Sequence, residues 1–433
     1  MSWKIETFGS LLQESRIPAE NPDANKRIRV KLNVLGVEKR PVGVEKEGAT
    51  NQYIRKAGQF IYGKQNFHKG AFGIVPESLD GFETSADIPS FDVREDCLPE
   101  WIFYFFKVGN KFLELEKFAR GVGSKRIHPK QIEELEIPLP PIRIQEKVIG
   151  KVKKLESSGQ ELSTELTHQL DLVKQLRQAF LREAIQGKLV PQDPNDEPAS
   201  VLLKKIKAEK EQLIKEKKIK KGKPLPPVSE EEVPFDIPDN WVWCRLGEVV
   251  ELISGQDLNP SQYSDQKTDG LPYLTGASNF NNGNVILNRW TKSPRSVAYK
   301  GDLLVTCKGS GIGKMATLEA KKVHIARQIM AIRNFASLPS YFIQKIVEFN
   351  VTDYKSKSKS SIPGIGRDIV LNTLSPLPPL AEQLRIVAKL EELMNYCDQL
   401  EERIKASQQY NEQLLQQVLR EALEPERELV GEI

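Results

Sequence analysis

Two long stretches of this 433-residue chain carry apolar residues in steps that mostly alternate between four and three. The first runs Val148, Val152, Leu155, Gly159, Leu162, Leu166, Val173, Leu176 and Phe180; the second has Ile386, Leu390, Leu393, Cys397, Leu400, Ile404, Leu414 and Val418 at matching places. That spacing is a coiled-coil seam. It predicts helices over 141–186 and 379–424, each about 69 Å long at 1.5 Å per residue, packed on each other. Both stretches open on Pro-Leu-Pro-Pro, from Pro138 and Pro376. Proline lacks an amide donor and biases its predecessor to extended backbone, so each motif should end the structure before it. In the second helix Gln408 and Asn411 stand where the first has Leu170 and Val173, and polar breaks of this kind set register at some cost in stability. Leu172 and Leu415 lie off the main stripe and predict a second apolar face, open to a partner.

The rest of the chain reads differently. Over roughly 1–137 and 241–375, short apolar runs (Gln59–Tyr62, Gly73–Val75, Val285–Leu287, Leu303–Thr306, Ala326–Ile332) alternate with Gly, Asn and Pro turns, which is how short strands look. Trp101–Lys107 and Ser340–Phe349 follow Leu-Pro pairs and predict helices. Each lobe is expected to be mixed and mainly antiparallel.

The chain also repeats itself, and a repeat has to be found before a fold is assigned. At an offset of 238, Gln145 meets Gln383, Lys151 meets Lys389, and Leu181-Arg182-Glu183-Ala184 meets Leu419-Arg420-Glu421-Ala422. Upstream the likeness is looser: Trp3 answers Trp243, Phe8-Gly9 answers Leu246-Gly247, Lys56–Lys64 answers Lys300–Lys308, and Leu98-Pro99 answers Leu338-Pro339. The expected organisation is a first lobe over 1–140, a helix over 141–186, a linker over 187–240, a second lobe over 241–378 and a second helix over 379–424. The linker occurs once. Its residues 201–223 hold ten Lys and three Glu, a net +7, followed by the Pro-rich, acidic PLPPVSEEEVPFDIPDN. It predicts a solvated helix running into an extended strap.

Composition removes several alternatives. No window approaches 18 uninterrupted apolar residues, so no membrane-spanning helix is expected. The opening MSWKIETFGSLLQESRIPAE has no apolar signal core, which points to the cytoplasm. Cys97, Cys244, Cys307 and Cys397 stand singly, without metal or redox spacing, and are expected to be reduced and structural. A net charge of +4 and a pI near 8.6 are too mild to identify a polyanionic partner.

Catalytic motifs fail one after another. KGSGIGKMATL, from Lys308, has Lys where a phosphate-binding loop needs its first Gly, and Met315 where it needs a magnesium-binding hydroxyl. Asn259-Pro260 is followed by Ser261, which breaks the Asn-Pro-Pro-aromatic loop of a methyltransferase. The four histidines share no metal-ligand spacing. No catalytic residue, metal site or cofactor is expected on this chain.

What recurs is a basic, Gly- and Ser-rich loop before each Pro-Leu-Pro-Pro: Arg120 through Lys125, Arg126, His128 and Lys130, and again Lys355, Lys357, Lys359 and on to Arg367. Lys and Arg neutralise phosphates, while Ser hydroxyls and Gly amides allow close backbone approach. Base edges call for long polar side chains, chiefly Arg or Lys for guanine and Asn or Gln for adenine. Lys64, Gln65, Asn66, His68 and Lys69, then Asn279, Asn281 and Asn282, are turn segments so equipped. Lys308, Ser310 and Lys314 follow a strand comparable to the one before Lys64 and are candidates for a groove or a phosphate.

These features together resemble one family. The duplicated Pro-Leu-Pro-Pro helices, Leu181-Arg-Glu-Ala-Ile-Gln-Gly-Lys-Leu-Val-Pro191, the linker KPLPPVSEEEVPFDIPDNW and the restart Trp241-Val-Trp-Cys-Arg-Leu-Gly-Glu248 resemble the specificity subunit of a type I restriction-modification system. The likeness covers essentially the whole chain and is weakest at MSWKIETFGSLLQES. It implies an α+β protein in which two pseudo-symmetric target recognition domains are separated by two long helices packed as an antiparallel coiled coil. Each domain would read one half of a bipartite site on double-stranded DNA. The helices would recruit two modification subunits, methyltransferases that bring S-adenosylmethionine and act on adenine. Restriction subunits, endonuclease and translocase in one, would join with ATP and Mg2+. The competing expectation is a non-catalytic coiled-coil scaffold that binds proteins and not DNA.

Overall fold

The structure is a computed structural model describing residues 3–41, 51–120, 125–281, 283–309, 311–335, 338–356 and 364–423. It divides into two compact units, Met1–Gln169 with Arg403–Ile433, and Leu170–Glu402. The long helices are Ile142–Ile185 and Leu380–Leu423, 44 residues each, and each contributes a stretch to both units.

In the first unit, strand Lys4–Thr7 pairs antiparallel with Glu136–Leu139, Lys4 opposite Leu139. A helical turn, Phe8–Leu11, leads into a four-stranded sheet ordered Leu12–Ser15, Ser90–Val93, Phe60–Tyr62, Phe72–Ile74. Helix Pro99–Lys107 covers it. Pro99 suits the first turn, where no amide donor is needed, and the helix buries Trp101, Ile102, Tyr104 and Phe106. The resulting core is aromatic: Phe8, Phe60, Phe67 and Phe72 gather around Phe106, and Tyr62 stacks on Phe67 with ring centroids 4.4 Å apart. Arg55, 1% exposed, ties this sheet to its neighbour by donating to Thr84 Oγ1, the Ser15 and Ile88 carbonyls and Ser90 Oγ. Burial lowers its pKa to about 10, so it stays charged at neutral pH.

The second unit repeats the plan. Strand Val242–Arg245 pairs with Leu374–Leu377, Val242 opposite Leu377, which is the first pairing displaced by 238 at both ends. The sheet order Val250–Ser254, Ile329–Asn334, Leu303–Thr306, Met315–Thr317 matches that of the first lobe, with helix Ser340–Ser356 over it. This register puts Trp3 level with Trp241, not with Trp243 as the sequence suggested; Trp243 is level with the exposed Ile5. Two indoles stand two residues apart here, and only the strand register tells which is equivalent to Trp3. A further sheet of five strands contains one parallel pair, Leu271–Leu274 with Lys322–Ile325. Of the expected strand Val285–Leu287 only Val285 belongs to one, and Ile286 and Leu287 are exposed.

Each long helix starts the same way. Gln145 donates to the Pro140 carbonyl and Gln383 to the Pro378 carbonyl, both at 2.8 Å, which occupies an acceptor that proline leaves at the helix mouth. Within each unit the two helices run antiparallel. In the first unit Asn411 donates to the Gly159 carbonyl at 2.9 Å and Gln408 approaches Thr167, so the polar breaks are used across the helix pair. In the second, Arg177 bonds Asp398 at 2.6 Å and Glu401 at 3.2 Å.

The seam differs from its expected form. Val152, Leu166, Val173, Ile386, Leu390, Cys397 and Ile404 are buried, but Leu155, Leu162, Leu176, Leu400 and Leu414 are 37–62% exposed. A straight helix drifts against a strict heptad, and the lobes recruit other positions into their cores, Ile149 and Leu419 among them. Leu415, expected on an outer face, lies against Gly159, whose missing side chain makes the room. Leu172 is 46% exposed, as an outer position should be.

The linker is not a solvated spacer. Its helix Ala199–Lys215 buries Ala199, Leu202 and Ile206 in the second lobe's core beside Trp241, Cys244 and Leu246. The strap beyond is held by Arg245, 5% exposed, which donates to the Pro226, Pro227 and Asn372 carbonyls and to Glu232 Oε2. A Lys-rich composition concealed an apolar stripe, Ala199, Leu202 and Ile206 with Leu203 and Leu213 packed beside them.

His324 gives the second lobe a pH dependence. Its ring is fully buried and stacks on Tyr273, with Nδ1 2.8 Å from the Ser296 carbonyl. Burial is the largest influence and lowers its pKa; the Ser296 and Gln256 backbone and Asp257 oppose this, and Arg295 adds to it. The unfolded chain therefore takes up a proton near pH 6.5 before the folded one does, and stability present above that pH is lost as pH falls through it. Urea midpoints should drop between pH 7.5 and 5.5, and by less in His324→Phe. An equal drop in both proteins would remove His324 as the cause.

Candidate nucleic-acid interface

In the first lobe the loop after strand Phe60–Tyr62 and the basic loop meet. Lys64 O accepts from Ile127 N at 2.8 Å, Lys64 N donates to Asp87 O at 2.9 Å, and Tyr62 Oη donates to the Ile127 carbonyl at 3.2 Å. These bonds set Lys64, Gln65, Asn66 and Lys69 beside Lys125 and Arg126. Gln65, Lys69, Lys125, His128 and Lys130 are exposed, and Lys64, Asn66 and Arg126 are half-buried. Lys125 pairs with Glu116 at 3.5 Å and Arg126 with Asp87 at 3.4 Å, long contacts that a phosphate could replace. His68 is buried, and burial, with Lys69 and Lys125 nearby, lowers its pKa. Being buried, it packs under the loop and does not face outward as a base reader. Its apolar neighbour Phe67 in the same turn is the signal that the sequence reading passed over.

The second lobe builds the same frame. Cys307 O accepts from Ile365 N at 2.8 Å and Cys307 N donates to Gln328 O at 2.8 Å. Lys64 is thus level with Cys307, and Gln65 with Lys308, one residue away from the sequence match. Lys308 bridges to Gly364, and Lys355 lies against Gly313, next to Lys314. Lys308, Lys314 and Lys355 are all exposed. Gly311 closes on Ala277, and any side chain at Gly276 would strike Gln328, so the loop after Lys308 and the Asn-rich turn pack together. Arg367 starts a short helix, Arg367–Leu371, and donates to the Leu252 carbonyl at 2.6 Å. Asn282, Ser310, Lys357 and Lys359 lie outside the described residues.

Asn279 is a correction. It is fully buried; its Oδ1 accepts from Thr275 N at 2.8 Å and Gly276 N at 3.3 Å, and its Nδ2 donates to the Ile286 carbonyl and Asn288 Oδ1. Every polar atom of the side chain is spent on its own turn, the usual use of Asn in such a place. Asn281, two residues on, is exposed. Sequence reasoning also missed Gln328, exposed at the position Asp87 holds in the first lobe, and Arg16, near enough to bear on Lys64. Nothing in either local sequence marks it; only the strand pairing brings them in.

Asn279→Ala should therefore lower the unfolding free energy by about 2 kcal/mol or more, from buried partners left unsatisfied. Asn281→Ala should change it by less than about 0.5 kcal/mol. Denaturant titration of the two variants separates them, and equal effects would contradict the assignment.

The family model described as the type I restriction modification DNA specificity domain matches residues 30–172 and 238–407. Among curated proteins, the type I restriction enzyme EcoEI specificity subunit of Escherichia coli is 29% identical over 67% of this chain and 58% of its own. The EcoAI specificity subunit of the same organism is 34% identical over 57% and 44%; the chain thus spans about half the length of these relatives. Among solved structures, a chain of a type I R-M system superposes with a TM-score of 0.71 at 20% identity, over 98% of both chains. The HsdS subunit from Thermoanaerobacter tengcongensis superposes at 0.62 and 20% identity, over 98% of this chain and 96% of its own. At such identity these two speak for the fold. With most of the first lobe, the second lobe and most of both long helices inside the matched residues, the chain belongs to the type I restriction modification DNA specificity domain family.

Proposed function

We propose that this chain is the DNA-reading subunit of a type I restriction-modification assembly, each lobe contacting one half of a bipartite, asymmetric duplex site. The observation that carries this reading is one backbone frame built twice, Lys64 with Ile127 and Cys307 with Ile365. Both frames set basic side chains beside a turn, and the side chains differ. A common scaffold with unlike reading surfaces suits two unlike half-sites. The role is non-catalytic. S-adenosylmethionine, ATP and Mg2+ are assigned to partners: two modification subunits that methylate adenine, and restriction subunits. For docking the modification subunits, the long helices offer Leu162, Leu172 and Leu176, and Leu384, Leu400 and Leu414, all 38–62% exposed.

Two experiments test this. Replacing Lys125 and Arg126, or Lys308 and Lys355, by Ala should weaken duplex binding alike for all sequences and flatten its salt dependence by about one unit of log–log slope per lost contact. Fluorescence anisotropy across a salt series reads both. Relaxed preference at one base pair with unchanged nonspecific affinity would make these residues base readers. Failure of the unmodified chain to bind any duplex would leave the protein-binding scaffold.

The second concerns the helices as a spacer. One heptad added after Lys174 and after Glu412 lengthens both by about 10.5 Å with the seam in register, or about three base pairs at 3.4 Å each. Those base pairs also turn the second half-site by about 100°, so affinity is expected to fall. Sequencing of methylated adenines, with the modification subunit present, should return unchanged half-sites separated by a longer gap. Full activity at the original spacing would show that the helices do not set it.

A further inference from the structure

The linker crosses a cleft of about 440 Å³ on the second lobe, lined by Lys210, Lys220 and Lys223 from the linker and by Arg367, Glu251 and Asp368 from the lobe. Glu251 is already paired with Arg333 at 3.1 Å, so the four cations face chiefly the one carboxylate of Asp368 and keep a positive excess. Their positions are set by the fold. Lys210 Nζ is held by the Gly247 carbonyl, Ile219 packs into the lobe's core, and Arg245 anchors the strap that follows Lys223. Two residues past the end of the linker helix, Lys217 has φ 57°, a left-handed turn that sends the chain back over the lobe. Lys220 and Lys223 are exposed. The cleft also continues the candidate interface, for Arg367 lies three residues beyond Gly364, which bridges to Lys308. That is about 11 Å of chain at most.

We infer that this linker cleft is a further DNA contact, taking a backbone phosphate of the duplex outside the half-site read by the second lobe. The inference rests on the DNA-reading function proposed above. A phosphate fits because lysine ammonium groups act as point charges for it, without requiring a base sequence. Since the linker exists once, the added contact falls on one side of the bipartite site only.

The test uses the full chain with Lys220 and Lys223 both changed to Gln, beside Lys308→Gln with Lys355→Gln as a control in the reading loop. Duplexes of about 40 base pairs are titrated by anisotropy across a salt series, and phosphate protection is mapped by hydroxyl-radical footprinting. The linker variant should bind about tenfold or more weakly near 0.1 M salt, with a slope lower by one to two units. It should also lose protection at one flank while the half-sites stay protected. Wild-type affinity, slope and footprint in the linker variant, with the control weakened, would overturn this inference and leave the DNA-reading function standing. No duplex binding by the unmodified chain would overturn both. Unchanged DNA binding with lost binding of a poly-glutamate probe would overturn it in favour of an acidic protein segment.

Discussion

The constraint on which each unit depends is the pairing of a lobe's first strand with its last, which ends on the first two residues of the Pro-Leu-Pro-Pro motif. Lys4 opposite Leu139 and Val242 opposite Leu377 bring the chain's entry and exit together. The exit strand runs through the first proline of the motif, Pro138 opposite Ile5 and Pro376 opposite Trp243, and stops at Pro140-Pro141 and Pro378-Pro379, which lack the amide donor a ladder needs. Gln145 and Gln383 then bind the proline carbonyl and close the first helical turn. The launch point of each long helix is therefore set by the sheet behind it. Trp101 Nε1 reinforces this from the covering helix by donating to the Pro138 carbonyl.

Around that shared junction the two cores are filled differently. The first lobe packs rings against rings, with Phe60 and Phe106 centroids 6.0 Å apart and Phe67 edge-on to Phe106 at 4.9 Å. The second fills the corresponding sheet with Leu303, Val305, Met330 and Ile332. Cores tolerate such exchange when volume and pattern are kept. Strand order and backbone hydrogen bonds survive, and the surface loops are free to diverge. That freedom is what a pair of unlike reading surfaces on one scaffold requires.

Legibility followed the range of the interaction. The helices and their repeat were readable because periodicity and an ungapped offset are local signals, and Gln145 with Gln383 was found by alignment alone. The basic loops were readable as composition. An exposed reader and a buried turn brace have the same sequence signature, and only the burial and side-chain hydrogen bonds of Asn279 distinguish them. Leu155 and Leu400 were placed in the seam because a heptad count carries no information on which turn a lobe covers. Gln328 was invisible, since what brings it to the site is a backbone bond to Cys307 across two strands.

The linker shows where duplication stops. Arg245 is level with Thr7 of the first lobe, which holds no strap among the described residues, whereas Arg245 is nearly enclosed with four acceptors. A buried guanidinium is costly to desolvate unless its donors are satisfied, and the Pro226 and Pro227 carbonyls are available because a proline-rich strap forms no ladder of its own. The clamp and strap therefore depend on each other: without the strap Arg245 would be a buried charge short of partners, and without Arg245 the strap would have lost three of the bonds that order it. Ala199, Leu202 and Ile206 add apolar burial on the same lobe. The chain is thus a duplication in its scaffold and asymmetric in its trim, and the asymmetry is structural before it is functional.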